Sequence, residues 1–466
     1  MVCAGSKHAG TANENKWGHQ VLIGNRVIIG LLAAFLLASC AEKDLILPGE
    51  REDIRAVLTD DEGSAGGIVT NSTTQNTTAP AKLPAETVNA EWLQRIGSPT
   101  TRTPHPALSA APQQVWSVSI GAGDGKRNRI TADPVVADGR IYTLDAQATV
   151  TAVSTAGQVV WSRDLTPPND SPSDASGGGL SFGNGKVFVS SGFGILVALN
   201  AATGEVIWEQ ALRGTGSGSP TVFGNMIYIV SGDDDAWALD ADTGRIKWRL
   251  AAAPDINNVI GGPAPAVSDK YVVFAFGAGE LQGAFRKGGL RLWDAQVAGR
   301  RAGLSQSLVA DVTGDPVISG DKVYVGTHSG RLVALRLANG ERLWTAGEGP
   351  LSPAWPAGDS LYMVSDKNEL LRLRAEDGTR VWGQKLPFFT SDRPKRQAEV
   401  FAHYGPVVAG GQVIVASNDG QIRFFDPVSG ALNRSVEIPG GATSNPVVAG
   451  RTLYVVSTKG ELYAFR

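Results

Sequence analysis

One phrase recurs along the chain, and nothing else in it constrains the fold as strongly. ALNAATGEVIW ends at Trp208, ALDADTGRIKW at Trp248, ALRLANGERLW at Trp344 and RLRAEDGTRVW at Trp382. Each follows a second phrase made of Pro-Val-Val, a Gly turn and an alternating apolar run. Examples are DPVVADGRIYTL (133–144), SPTVFGNMIYIV (219–230), DPVISGDKVYVG (315–326) and NPVVAGRTLYVV (445–456). A unit of about 40–50 residues built from short alternating strands is the sequence form of one β-propeller blade. The fold class is all-β, and the architecture is an eight-bladed β-propeller.

Eight copies fit the template, beginning near Asp133, Gly179, Ser219, Pro263, Asp315, Ser352, Tyr404 and Asn445. The Trp column runs Trp161, Trp208, Trp248, Trp293, Trp344 and Trp382, and breaks at Arg434 in the seventh copy. Four strands per blade are expected; in the third they fall at 219–223, 226–231, 235–240 and 245–250. The TG or NG between the third and fourth strands supplies the positive φ of a tight hairpin. The recurring indole is expected to pack on the neighbouring blade and cap its turn, which makes it mortar rather than a sugar-stacking platform. The eighth copy ends at Arg466 without its Trp-bearing strand. QQVWSVSI (113–120), just ahead of the first blade, carries Trp116 and matches the missing piece. The N-terminal strand is therefore expected to complete the last blade, which removes an open sheet edge.

Residues 1–39 read as a signal. Lys16 and Arg26 precede the apolar run Val27 to Ala38, which is too short to span a membrane as a mature helix. LASC at Leu37–Cys40 resembles the lipobox of bacterial lipoproteins. That resemblance implies cleavage before Cys40, lipidation of Cys40 and, with Ala41 rather than Asp following, release to the outer membrane. Cys3 and Cys40 are the only cysteines, so no disulfide is expected in the processed chain. Residues 40–112 read as a lipidated polar tether, charged at 42–62, low in complexity at 66–84 and largely disordered; Trp92 is the exception, expected to dock on the ring. Residues 113–466 are the propeller. The net charge of −3 argues against a nucleic-acid partner.

Catalytic chemistry is hard to find. His328 and His403 occupy ordinary blade positions, and no His pair has zinc spacing. Asp240 and Asp242 sit where Asp caps a hairpin, and Asp233–Asp235 reads as a loop rather than a cation site. SGGG (176–179) lacks the GK[ST] of a phosphate cradle. No nucleophile–base pair is recognisable, and no cofactor or metal is expected. Eight-bladed rings with this Trp phrase resemble the quinoproteins, whose pyrroloquinoline-quinone dehydrogenases hold quinone and calcium on the ring axis against a Trp and a disulfide of adjacent cysteines. This chain has no adjacent cysteines.

A lipobox, a polar tether and a quinoprotein-like ring without the quinone residues together resemble the BamB family of lipoproteins, in its alphaproteobacterial form. The resemblance implies a non-catalytic scaffold on the periplasmic face of the outer membrane. Its partners would be the POTRA domains of BamA, other subunits of the β-barrel assembly (BAM) complex and unfolded outer-membrane proteins. The family docks through a Leu-Arg-Gly before the third blade and an acidic segment before the fifth. Here these are Leu212, Arg213 and Gly214, and Asp311; Gln210 and Thr313 depart from the family pattern. Leu212 is expected to be exposed beside Arg213, as in an interface hot spot. Two long loops, 294–314 with Arg300 and Arg301, and 383–403, stand apart. The second, with Phe388, Phe389 and Phe401 among Arg393, Lys395 and Arg396, is expected to form another contact surface. The alternatives are a quinoprotein dehydrogenase or a periplasmic ligand-binding propeller.

Overall fold

The computed structural model describes residues 69–70, 76–212, 214, 218–232, 234–253, 262–297 and 311–466. Among them the chain forms eight sheets, each built on four antiparallel strands that are consecutive save at the ring closure, and one of them carries a fifth, parallel strand. The first and last strands of blade 1 are Val135–Ala137 and Val159–Asp164, of blade 2 Gly178–Gly183 and Val206–Ala211. Blade 3 runs from Thr221–Phe223 to Ile246–Ala251 and blade 4 from Ala266–Val267 to Arg291–Gln296. Blade 5 runs from Val312–Ser319 to Arg342–Ala346, and blade 6 from Trp355–Ala357 to Arg380–Lys385. Blade 7 runs from His403–Ala409 to Leu432–Glu437, and the chain's last three strands, Val447–Ala449, Thr452–Val456 and Glu461–Phe465, belong to blade 8. First strands are buried almost throughout, whereas most fourth strands alternate exposed and half-buried. The fourth strand is therefore the outer edge. Up-and-down pairing then sends inter-blade loops and second-to-third turns to one face, called upper here. First-to-second and third-to-fourth turns lie on the lower face.

Closure follows the sequence expectation. Gln114–Ser119 pairs antiparallel with Glu461–Phe465, with Trp116 opposite Ala464 and Val118 opposite Leu462. Gln113 and Arg466 exchange backbone hydrogen bonds at 2.8 and 2.9 Å, which ties the two ends of the ring together.

The repeated Trp welds each blade to the next. Trp161 Nε1 donates to Ala201 O at 3.1 Å, and the Tyr142 hydroxyl donates to the same carbonyl at 3.2 Å while its ring lies 5.9 Å from the indole. Tyr362 and Trp382 share Pro427 O in the same way. In these two clamps one carbonyl accepts both the indole N–H and the phenol hydroxyl; in blade 3 the buried Trp248 indole N–H has no such partner. The glycine of the following blade's turn lies under the indole. A Cβ on Gly204, at φ +74, would stand 2.6 Å from Trp161 Cε3, and Gly244 and Gly378 meet Trp208 and Trp344 likewise. Gly is thus required there twice, for its φ and for its missing side chain.

Arg434 breaks the column where the neighbour changes. Blade 8 has no third-to-fourth hairpin, because its fourth strand comes from the other end of the chain. Arg434 lies 4.8 Å over the Phe424 ring and donates to Pro112 O at 2.9 Å, reaching the incoming strand that a Gly turn would otherwise present.

The segment ahead of the ring departs from expectation. Residues 76–112 are not a disordered tether; they pack against the propeller, and Val69–Thr70 adds a parallel fifth strand to blade 5 at Thr345 and Ala346. The polar composition of 66–84 suggested solvation, yet Thr77 N donates to Val381 O, and Asn76 and Gly383 exchange hydrogen bonds. Polar side chains here satisfy an exposed strand edge rather than water. Trp92 is not merely docked on the surface. It is buried 6.1 Å from Trp355, and it exchanges backbone hydrogen bonds with Val136 in the innermost strand of blade 1.

Candidate functional site

Two regions concentrate the groups that the fold does not need for itself: the upper-face loops and the ring axis. On the upper face, Leu212 ends blade 2, and Gly214 follows it; Arg213 lies outside the described residues. Leu212 is fully buried, packed with Phe188, Leu196, Val222, Ile227 and Trp237, and its N–H donates to Gly194 O at 2.8 Å. The expectation of an exposed apolar contact at Leu212 is therefore corrected. The side chain bridges blades 2 and 3, because the gap where one outer strand ends and the next inner strand begins is itself apolar and must be filled. Gly214 is buried as well.

Asp311 opens blade 5 and is buried. It borders a cavity of about 40 Å³ with Gly218, Ser231, Asp234, Pro263 and Phe276. The loop that starts at Leu212 ends at Gly218. The structure thus brings Asp311 and the end of that loop to one place between blades 3, 4 and 5. Of the acidic run noticed at 233–235, Asp233 lies outside the described residues. Asp234 is buried, its carboxylate accepting from Gly277 N at 2.9 Å across to blade 4. Among the described residues no cluster of three metal-ligating side chains occurs.

The long loop between blades 6 and 7 emerges on the same face. It starts as a short hairpin: Phe401 N donates to Phe388 O and Thr390 N to Glu399 O. Phe388 and Phe389 are exposed and meet edge to face at 4.7 Å, with Val400 exposed beside the bridge. A 3-10 turn at Pro394–Arg396 carries Lys395 and Arg396, none of it buried. His403, at the loop's return, is a satisfied core residue, bonded to Ser417 Oγ at 2.6 Å and Pro387 O at 2.8 Å; burial pushes its pKa down. In the other long loop, Arg300 and Arg301 lie outside the described residues.

The axis was not singled out from the sequence. Arg95 reaches it from the N-terminal segment, its Nε 2.9 Å from Asp315 of blade 5 and 3.6 Å from Asp133 of blade 1. Asp133 also accepts from Asn445 Nδ2 and N, both at 2.8 Å. Arg102 stacks 4.4 Å over Trp355 and donates to Pro353 O and Ala354 O. Burial pushes the Asp315 carboxyl up to about 6, against the pull of Arg95, with Asp133 adding to the rise. Burial likewise brings the Arg102 guanidinium down to about 9. Above Arg95 and Asp133 lies a polar cavity of about 390 Å³, walled by Ser352, Tyr404, Asn418 and Ser444 among others. A signal was available: charged Asp133 and Asp315 stand where other copies carry Ser219 or Ser352, and charge gathered at a ring centre calls for a counter-charge.

These axial residues do not suit a quinone held with calcium. The two axial carboxylates already share a guanidinium, and the chain's only cysteines, Cys3 and Cys40, are not adjacent.

Comparison with known proteins places this arrangement. The sequence model of the family described as outer membrane protein assembly factor BamB matches residues 146–384 and 391–466. The BamB protein of Yersinia pestis is 25% identical over 362 residues, covering 76% of this chain and 89% of that protein. The crystal structure of BamB from Moraxella catarrhalis superposes with a TM-score of 0.62 at 17% identity, covering 76% of this chain and all of that one (100%). A quinone alcohol dehydrogenase subunit of Komagataeibacter europaeus is 28% identical over 268 residues, covering 51% of this chain and 34% of that subunit.

Proposed function

The chain belongs to the family of the outer membrane protein assembly factor BamB, and from that premise we propose that it is a non-catalytic scaffold of the BAM complex. In this reading it binds the periplasmic POTRA domains of BamA by its upper face and aids insertion of β-barrel proteins. Lipid on Cys40 holds it to the periplasmic side of the outer membrane. Other BAM subunits and unfolded outer-membrane proteins are further partners of the same reading.

The observation that carries the docking part is the convergence of Asp311 and the loop after Leu212 on one small cavity of the upper face. Burial of Leu212 revises the roles within the Leu-Arg-Gly. Leu212 anchors the loop, and Arg213 is the residue proposed to meet the partner, paired with a carboxylate desolvated on binding. A quinone-dependent dehydrogenase is the competing reading, and the paired axial carboxylates and absent vicinal cysteines count against it.

The test is titration of the purified chain against purified POTRA domains, with circular dichroism as the folding control. Arg213→Glu is expected to weaken binding by about 2–5 kcal/mol, and Asp311→Lys to weaken the same complex. Wild-type affinity in a folded Arg213→Glu variant would remove the site assignment.

A further inference from the structure

We propose that the Arg95 guanidinium is the permanent axial cation of this ring, delivered by residues 76–112, which thread and close the lower mouth of the propeller. The inference is independent of the docking surface proposed above.

Three observations carry it. Asp133 and Asp315 belong to blades 1 and 5, four places apart in a ring of eight and so across its diameter. One side chain that reaches both must stand near the axis. Both carboxylates are buried, at 4% and 1% exposure, and two such charges facing each other are costly unless a cation lies between them. None of the eight repeat phrases places a basic residue there. The cation comes from outside the repeat.

The segment that brings it is built in rather than laid on. Arg372 of blade 6 donates to Ala79 O and Pro80 O, and Gly450 N of blade 8 donates to Asn89 O. Trp92 then pairs with Val136 of blade 1, Phe182 N of blade 2 donates to Leu93 O, and Val222 N of blade 3 donates to the Gln94 side chain. Beyond Arg95, Thr101 donates to Ile318 O of blade 5, Trp355 of blade 6 to Pro104 O, and Gly410 N of blade 7 to Pro106 O. The segment makes a circuit of the lower mouth, touching the innermost strands or lower turns of blades 1, 2, 3, 5, 6, 7 and 8. The cavity that Arg95 and Asp133 line is walled by residues of the upper-face loops, Ser352, Asn418 and Ser444 among them.

The experiment compares thermal unfolding of the full chain with three variants. Arg95→Met removes the ion-pair partner of two buried carboxylates, leaving only Arg102, which makes no ion pair with either, and is expected to lower Tm by roughly 5 °C or more. Arg95→Lys retains the charge and should recover part of that loss. Arg95→Met combined with Asp133→Asn and Asp315→Asn removes the need for a cation and should recover most of it. Lowering the pH from 7 to 5 should narrow the gap between Arg95→Met and wild type. Asp315 faces Arg95, Arg102 and Asp133, and Asp133 faces Arg95, Arg102 and Asn445. Without Arg95 both carboxyls take protons more readily folded than unfolded, so acid stabilises the variant relative to wild type. An unchanged Tm in Arg95→Met, or a triple variant no more stable than Arg95→Met, overturns the proposal. If Arg95→Met does not fold, the triple variant decides: folding supports the axial cation, and failure to fold refutes it.

Discussion

Leu212 and Arg434 show how much a single residue's meaning depends on its neighbour across the ring. Leu212 follows the end of a strand, in a place where no blade template requires it, and from sequence alone that looked like a surface contact. The structure fills the seam between blades 2 and 3 with it. Leu212→Ala is accordingly a stability variant. It should cost about 2–5 kcal/mol by opening a cavity among Phe188, Val222 and Ile227, measured by denaturant unfolding. A loss below 1 kcal/mol would show that the seam collapses around the smaller side chain. Arg434 is the opposite case. It reads as a defect in a Trp column and is a fitted substitute, offering a planar, donating side chain to Pro112 O where no Gly turn exists to be covered.

At the level of the blade, the unit of cohesion is the indole over the next blade's Gly turn. This explains why TG and NG recur more strictly than turn chemistry alone demands. Gly185 and Gly204 both have positive φ, +67 and +74, but a Cβ on Gly185 meets nothing within 4 Å, whereas on Gly204 it would strike Trp161. Both alanine variants pay the left-handed backbone penalty of about 1–2 kcal/mol. Gly204→Ala must also displace the indole and break its hydrogen bond to Ala201 O. Its loss is expected to exceed that of Gly185→Ala by about 1–3 kcal/mol, read by chemical denaturation. Equal losses would show that the Trp–Gly contact carries no strain. The hairpin between blades 6 and 7 is an element of another kind. Its exposed Phe pair and basic turn contribute little to the ring, and residues 385–390 fall in the gap of the family match.

For the whole molecule, the ring is held closed twice. Gln114–Ser119 completes blade 8, and the segment before it circles the lower mouth. Deleting 113–120 removes a strand, the Trp116 weld to Thr155 O and Gly157, and the link between termini. It should lower Tm far more than deleting 66–75, which removes the short pairing of Val69–Thr70 with blade 5. Differential scanning calorimetry on the two deletions measures this, and equal transitions would refute closure through the N-terminal strand. The same view bears on the docking proposal: the lower opening is filled by the chain's own residues, whereas the inter-blade loops of the upper face, where the partner contact is proposed, are not covered by that segment.

The local periodicities determined the propeller before any coordinate was known. A two-residue alternation, a Gly turn and a Trp at constant spacing are short-range signals that survive in one dimension, as does the match between the truncated eighth copy and QQVWSVSI. Whether a side chain faces solvent or a seam between blades is a different kind of fact. It depends on atoms some 40 residues away, and so the burial of Leu212 and the role of Arg434 had to wait for the tertiary structure. The segment 76–112 was hardest of all, since its contacts are with turns and strand edges scattered from residue 133 to residue 450. Nothing in the composition of such a stretch distinguishes polar groups that water solvates from polar groups that a ring of exposed backbone will satisfy. Only the closed ring brings Asp133 and Asp315 within reach of one guanidinium, because the charges that Arg95 balances are neighbours in space across the axis and strangers along the chain.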